Sequence, residues 1–141
     1  MTSRYGIDTS LLVRLVTGQP ADLFSVCVEQ LRTLVEDEGA ELFASNQVVG
    51  ETYVAVQHHY GVSAHEVRAS LLSVLQSGLV SPLHGHNVLN ALQATGGPGL
   101  FDRLITDDYT RARLEILTLD RKMATLPGVA TLSFDITPER G

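Results

Sequence analysis

The chain reads as an α/β protein with parallel strand pairing, and two observations predict that class. Short apolar runs alternate with longer segments whose hydrophobic residues recur at three- and four-residue intervals, the spacing of amphipathic helices. Strands that alternate with helices pair in parallel, because a parallel neighbour is reached only through a crossover. The helical share is large for the class.

The first segment, residues 4–7, contains Tyr5 and Ile7 and stops at Asp8-Thr9-Ser10, whose side-chain oxygens favour helix N-termini. Strand, turn and helix follow in that order. Beyond the Gly18-Gln19-Pro20 break, residues 21–38 place Leu23, Phe24, Cys27, Val28, Leu31, Leu34 and Val35 on one helical stripe, which Gly39 ends. Residues 40–44 fit a buried strand, and either Ser45 or Asn46 caps a helix continuing to about His59. The spacing from Ser63 to Glu66 is that of a capping box, so a helix is expected over residues 64–76, stopped at Gly78. Residues 79–81 are a short apolar stretch closed by Pro82, and residues 88–94 return to helical spacing. After the Gly96-Gly97-Pro98-Gly99 turn, residues 100–113 are helical in pattern. Residues 116–119 and 129–132 then read as strands, separated by a helical turn over residues 121–126 that ends at Pro127-Gly128.

Of the 141 residues, 10 are Lys or Arg and 16 are Asp or Glu, a formal charge of −6. That balance speaks against gripping nucleic acid over the whole surface, yet leaves room for a basic rim around an acidic pocket. With 44% of residues apolar a core can be buried, and the length fits a single domain over residues 1–141 with a short tail from about residue 134. The absence of Trp and the scarcity of Phe and Tyr leave that core aliphatic. A single cysteine, Cys27, excludes an internal disulfide and Cys-rich zinc modules, and favours a reducing cytoplasm. Its place on the apolar stripe reads as a small buried side chain. The run over residues 11–16 is broken by Arg14 and follows Asp8, so neither a signal peptide nor a membrane span is expected.

Ligands of open parallel sheets gather beyond the carboxyl ends of the strands. Asp8 follows the first expected strand and Asp120 follows Leu117-Thr118-Leu119, so each serves either as a helix cap or as a ligand. Glu51 lies in a helix that is apolar or small nearly all the way round, projecting between Val54 and Ala55. It is either an exposed edge residue, a partner of Arg14 or Arg103, or part of a site. Asp102 opens the helix after the Gly-rich turn and shares a side with Ile105, Thr106 and Tyr109, whereas Asp107 and Asp108 point away and read as solvated charge. Were Asp8, Glu51, Asp102 and Asp120 to converge with carboxylates about 5 Å apart, each pair would repel by roughly 3 kcal/mol at an effective dielectric of about 20. Six such pairs approach a typical folding stability of about 5–15 kcal/mol. A cluster of that kind takes up protons or a hard cation, and all-oxygen ligands suit Mg²⁺ or Mn²⁺ better than Zn²⁺.

The order of motifs resembles the PIN domain, and within it the VapC-like toxins of type II toxin-antitoxin systems. The likeness rests on Tyr5-Gly6-Ile7-Asp8-Thr9-Ser10, Asn46-Gln47-Val48-Val49-Gly50-Glu51, Leu100-Phe101-Asp102-Arg103-Leu104-Ile105, and Leu117-Thr118-Leu119-Asp120-Arg121 closing on Leu126-Pro127-Gly128-Val129. It implies a three-layer α/β/α sandwich with a central, mainly parallel sheet of four to five strands. It also implies Mg²⁺-dependent cleavage of RNA, with Mn²⁺ able to substitute, a cognate antitoxin and a homodimer. Carried over, Asp8, Glu51, Asp102 and Asp120 form the acidic metal site, and Ser10 and Thr118 are supporting hydroxyls that orient a ligand or water. The chain departs from the family after the third acid, where Thr106-Asp107-Asp108-Tyr109 replaces small apolar residues.

The chemistry expected is hydrolysis of a phosphodiester by metal-bound water. Phosphate contacts would come from Arg14, Arg103, Arg121 and Lys122, each of which reads equally as a surface residue or a neutraliser of the acids. Phosphoryl-aspartate chemistry is disfavoured because Ser10 stands where a second Asp is needed, and the Gly-rich turn matches no nucleotide-binding loop. The pairs His58-His59 and His84-Gly85-His86 read as helix-end or loop residues. The alternative to an enzyme is a non-catalytic PIN-like module whose acidic pocket binds a basic partner segment.

Overall fold

In a computed structural model that describes residues 2–132, the chain divides into two compact units, Met1–Ala94 and Thr95–Gly141. The tail expected from about residue 134 lies outside the described residues. The first unit runs β1 (Arg4–Gly6), α1 (Thr9–Thr17), α2 (Ala21–Arg32), β2 (Glu41–Ala44), α3 (Asn46–Tyr60), α4 (Ala64–Leu75), β3 (Ser81–Pro82) and α5 (His86–Gln93). Its strands form one parallel sheet in the order β1-β2-β3, with Tyr5 opposite Leu42 and Phe43 opposite Ser81. The Ile7 amide extends the β1 ladder by donating to the Phe43 carbonyl at 2.8 Å. Strands and helices therefore alternate as the hydrophobic spacing predicts.

Capping fixes where the helices begin. Ser45, rather than Asn46, caps α3 by accepting the Val48 amide at 3.2 Å, and Ser63 caps α4 by accepting the Glu66 amide at 3.2 Å. Helices α1 and α3 end on Gly18 and Gly61, at φ of +67° and +64°, the left-handed conformation that a side chain resists. Leu12 and Leu15 of α1, Val49 and Val56 of α3, and Val67, Leu71 and Leu75 of α4 form the aliphatic core with Leu42, Val80 and Val88. Each fully buried Leu or Val stabilises the fold by about 1.5–3 kcal/mol relative to exposure.

The expected core stripe of residues 21–38 is only partly realised. Leu31 is the residue that α2 buries, while Leu23 and Val26 are 48% and 49% exposed and Cys27 is half-buried. Helix α2 runs on into a wider π-type turn over Thr33–Asp37, where the Glu38 amide reaches back five residues to the Thr33 carbonyl.

The second unit comprises α6 (Leu100–Arg111), β4 (Ile116–Thr118), a single 3-10 turn at Met123–Thr125 and β5 (Val129–Thr131). Strands β4 and β5 pair in parallel, Ile116 opposite Val129 and Thr118 opposite Thr131, above buried Ile116 and Met123. Among the described residues the strands thus fall into a three-stranded and a two-stranded sheet. Among the same residues, no single helix is long and apolar enough to cross a membrane.

Candidate functional site

Asp8 stands at the turn from β1 into α1, and its extended backbone at φ −95° and ψ 178° sets it up as the helix cap. Its Oδ1 accepts the Leu11 amide at 3.1 Å and the Ser10 hydroxyl at 2.7 Å. Those two bonds, with the Ser10 hydroxyl first, hold the exposed carboxyl below its ordinary pKa, so it is ionised at neutral pH. The predicted supporting residue Ser10 therefore bonds an acid, and Asp8 acts as the cap that its sequence position also allowed.

Glu51 is exposed on the edge of α3, beside exposed Val54. Its partner is neither Arg14 nor Arg103 but Thr9, whose hydroxyl donates to Oε1 at 2.8 Å across 42 positions of sequence. The Asp8-Thr9-Ser10 turn thus brings Asp8 and Glu51 into one local arrangement. Thr9 is the member that the sequence reading missed, because it served there only as part of a capping run. A run of two hydroxyls behind an acid is the signal that was available.

In the second unit, Asp120 repeats the pattern of Asp8. Its Oδ1 accepts the Lys122 amide at 2.8 Å and the Met123 amide at 3.3 Å, closing the turn into the 3-10 segment. Thr118 Oγ1 accepts the Asp120 amide at 3.0 Å, so the predicted hydroxyl fixes the backbone of the acid that follows it. Asp102 is half-buried in the first turn of α6 and its carbonyl accepts the Thr106 hydroxyl at 2.7 Å. Its carboxylate takes no hydrogen bond or ion pair from the described residues.

Asp107 is not solvated, contrary to the angular count. It is 7% exposed, and its Oδ2 accepts Arg111 Nε at 3.1 Å. The i,i+4 spacing lays the arginine over the carboxylate, so Asp107 is covered while Arg111 stays exposed to solvent. Asp108 is exposed, as the count expected.

The four cations differ. Arg103 is tied to the Gly-rich turn, its Nε donating to the Pro98 carbonyl at 3.0 Å and a terminal nitrogen to that of Gly96 at 3.3 Å. Arg14 is half-buried, with one terminal nitrogen shielded from solvent and without an acceptor among the described residues. Arg121 and Lys122 are exposed. His58 and His59 sit in the last turn of α3, and His84 and His86 flank Gly85 at the start of α5.

Within neither unit do the described residues bring three or more His, Cys, Asp or Glu side chains close enough to hold a metal ion. A surface hollow of about 330 Å³ at the strand ends of the first unit is lined by Arg4, Tyr5, Phe43, Ser45 and Leu83 among others, and by none of the predicted acids. What the first unit supplies is an ionised Asp8 at a strand end, bonded by Ser10, and on α3 a Glu51 bonded by Thr9; the second supplies a like turn at Asp120. No model of a known protein family matches the chain, and no curated protein matches it.

Proposed function

We propose that this chain is a metal-dependent endoribonuclease of the PIN type, the toxin of a type II toxin-antitoxin pair, acting in the cytoplasm. The observation that supports the reading best is the shared construction of Asp8 and Asp120. Each lies two residues beyond the end of a parallel strand, and each turns its Oδ1 onto backbone amides of the turn that follows, that of Leu11 for Asp8 and those of Lys122 and Met123 for Asp120. In the proposed fold the strands belong to one mainly parallel sheet of four to five, between two helical layers. Cognate antitoxin and a second copy of the chain are the proposed protein partners.

Mg²⁺, with Mn²⁺ able to replace it, would be held by Asp8, Asp102 and Asp120, with Glu51 direct or through water. The donors suit such a hard cation in kind: all are carboxylate oxygens, and Asp8 is held ionised. When bound, a divalent ion supplies the Lewis acidity that acidifies water and screens the phosphate. Ser10 bonds the Asp8 carboxylate and Thr118 fixes the Asp120 backbone, while exposed Arg121 and Lys122, with Arg14 and Arg103, contact phosphates of single-stranded or structured RNA. The test is cleavage of RNA by purified protein in Mg²⁺. Asp8→Asn and Asp102→Asn should abolish it, and parental rates in either variant would sink the reading.

A second reading is the non-catalytic module, whose acids, unclustered among the described residues, would bind a basic segment. A metal titration run beside the cleavage assay separates the two, since the module leaves RNA intact whatever cation it binds.

A further inference from the structure

We infer that the outward side of α2, with the π-type turn that continues it, is a docking surface for a basic amphipathic helix of another protein; the inference is independent of the nuclease reading. Helix α2 buries Leu31 and leaves Leu23 and Val26 about half exposed. At about 100° per residue, Leu23, Val26, Gln30 and Thr33 fall within an arc of about 80° turned away from Leu31. A hollow of about 580 Å³ follows this row, lined by Val26, Glu29, Gln30, Thr33, Leu34 and Glu38. A second, of about 360 Å³, takes in Phe24, Val28, Glu36 and Asp37 and shares Glu29 and Thr33 with the first. The two hollows therefore meet along one ridge, which the π-type turn prolongs beyond the end of α2. Apolar side chains left open beside charged ones are the pattern of a surface that meets a partner.

Charge selects the occupant. Asp22, Glu29, Glu36, Asp37 and Glu38 face a single base, Arg32, so this segment carries −4 of the −6 of all 141 residues. All six side chains are exposed, and among the described residues none of the five carboxylates takes an ion pair or a hydrogen bond. Such a field repels RNA and anionic membranes. A second copy would bring −4 against −4 and is repelled as well. A helix with apolar residues three and four apart, and Lys or Arg alongside them, complements the surface in both respects. From Leu23 to Leu34 the contact runs about 16 Å, so about three turns of such a partner are engaged. Leu23, Val26 and Leu34 supply the apolar footing, while the acids at the rim set orientation, on-rate and salt dependence.

The test uses the full chain and two synthetic peptides as probes. One has leucines at helical three- and four-residue spacing flanked by lysines; the other has the same composition in an order without that periodicity. Binding is read by fluorescence anisotropy of labelled peptide and mapped by amide chemical shifts of ¹⁵N-labelled protein. The ordered peptide should bind about 10-fold or more tightly than the scrambled one, with shift changes centred on residues 22–38. Leu23→Asn with Val26→Asn should weaken it by about 10-fold and keep its salt dependence. Glu29→Gln with Glu38→Gln should weaken it and flatten that dependence. Equal binding of the two peptides, shift changes centred elsewhere, or parental affinity in either double variant would overturn the inference. A dimer seen by sedimentation and lost in Leu23→Asn with Val26→Asn would overturn it in favour of a second copy. Shift changes over residues 22–38 with single-stranded RNA or phosphatidylserine vesicles would overturn it in favour of those surfaces. If the asparagine pair does not fold, Leu23→Ala with Val26→Ala takes its place in both measurements.

Discussion

Asp8 shows how much one side chain can carry: it caps α1, and its ionised form is favoured by the Ser10 hydroxyl and the Leu11 amide. A carboxyl with a folded pKa below its unfolded one contributes stability above the unfolded pKa and loses that contribution as pH falls through the folded value. The parent should therefore lose melting temperature on acidification through and below the ordinary carboxylate range. Asp8→Asn, which keeps an amide oxygen as cap acceptor, should show a shallower loss over that window, and parallel pH profiles would contradict the account. In α6 the buried Asp107 carboxylate meets Arg111, whose side chain is 35% exposed. Arg111→Ala should cost on the order of 1 kcal/mol in urea denaturation, scaled down from a fully buried charged bond because water reaches the arginine. The acids at the strand ends were legible in the sequence because Asp after a strand is a local signal. The Thr9–Glu51 bond was not, since 42 residues separate its ends, and the burial of Asp107 was hidden by counting angles from Asp102 without counting the Arg111 partner.

At the level of elements, the boundaries that capping chemistry governs were legible. Ser63 marks the start of α4, because an orphan amide must find a partner nearby in the chain. Ser63→Ala should lower stability by about 1 kcal/mol, measured by chemical denaturation, through loss of the Glu66 amide's acceptor. Helix α2 was legible as a helix but not in its environment: periodicity names an apolar side without saying what lies against it. Leu23→Glu and Val26→Glu should accordingly change stability by no more than about 0.5 kcal/mol, whereas Leu71→Ala, at a fully buried position of α4, should cost about 2–5 kcal/mol. A large loss at Leu23 or Val26 would mean that the exposed side of α2 is packed in solution.

For the molecule as a whole, alternation of helix and strand gave the α/β class and parallel pairing, since both follow from connection length alone. How many strands share a sheet was not legible, because runs of two to four residues carry too little pattern to state which edges meet. The central functional claim is likewise a claim about residues far apart in sequence: that Asp8 and Glu51, both in the first unit, serve one divalent ion. Its most direct test is Mn²⁺ binding by the full chain, with Asp8→Asn, Glu51→Gln and the double variant titrated in parallel. The account predicts one tight site in the parent that either substitution weakens, with the double variant far from additive because both acids serve the same ion. A site indifferent to both substitutions, or losses that simply add, would contradict it.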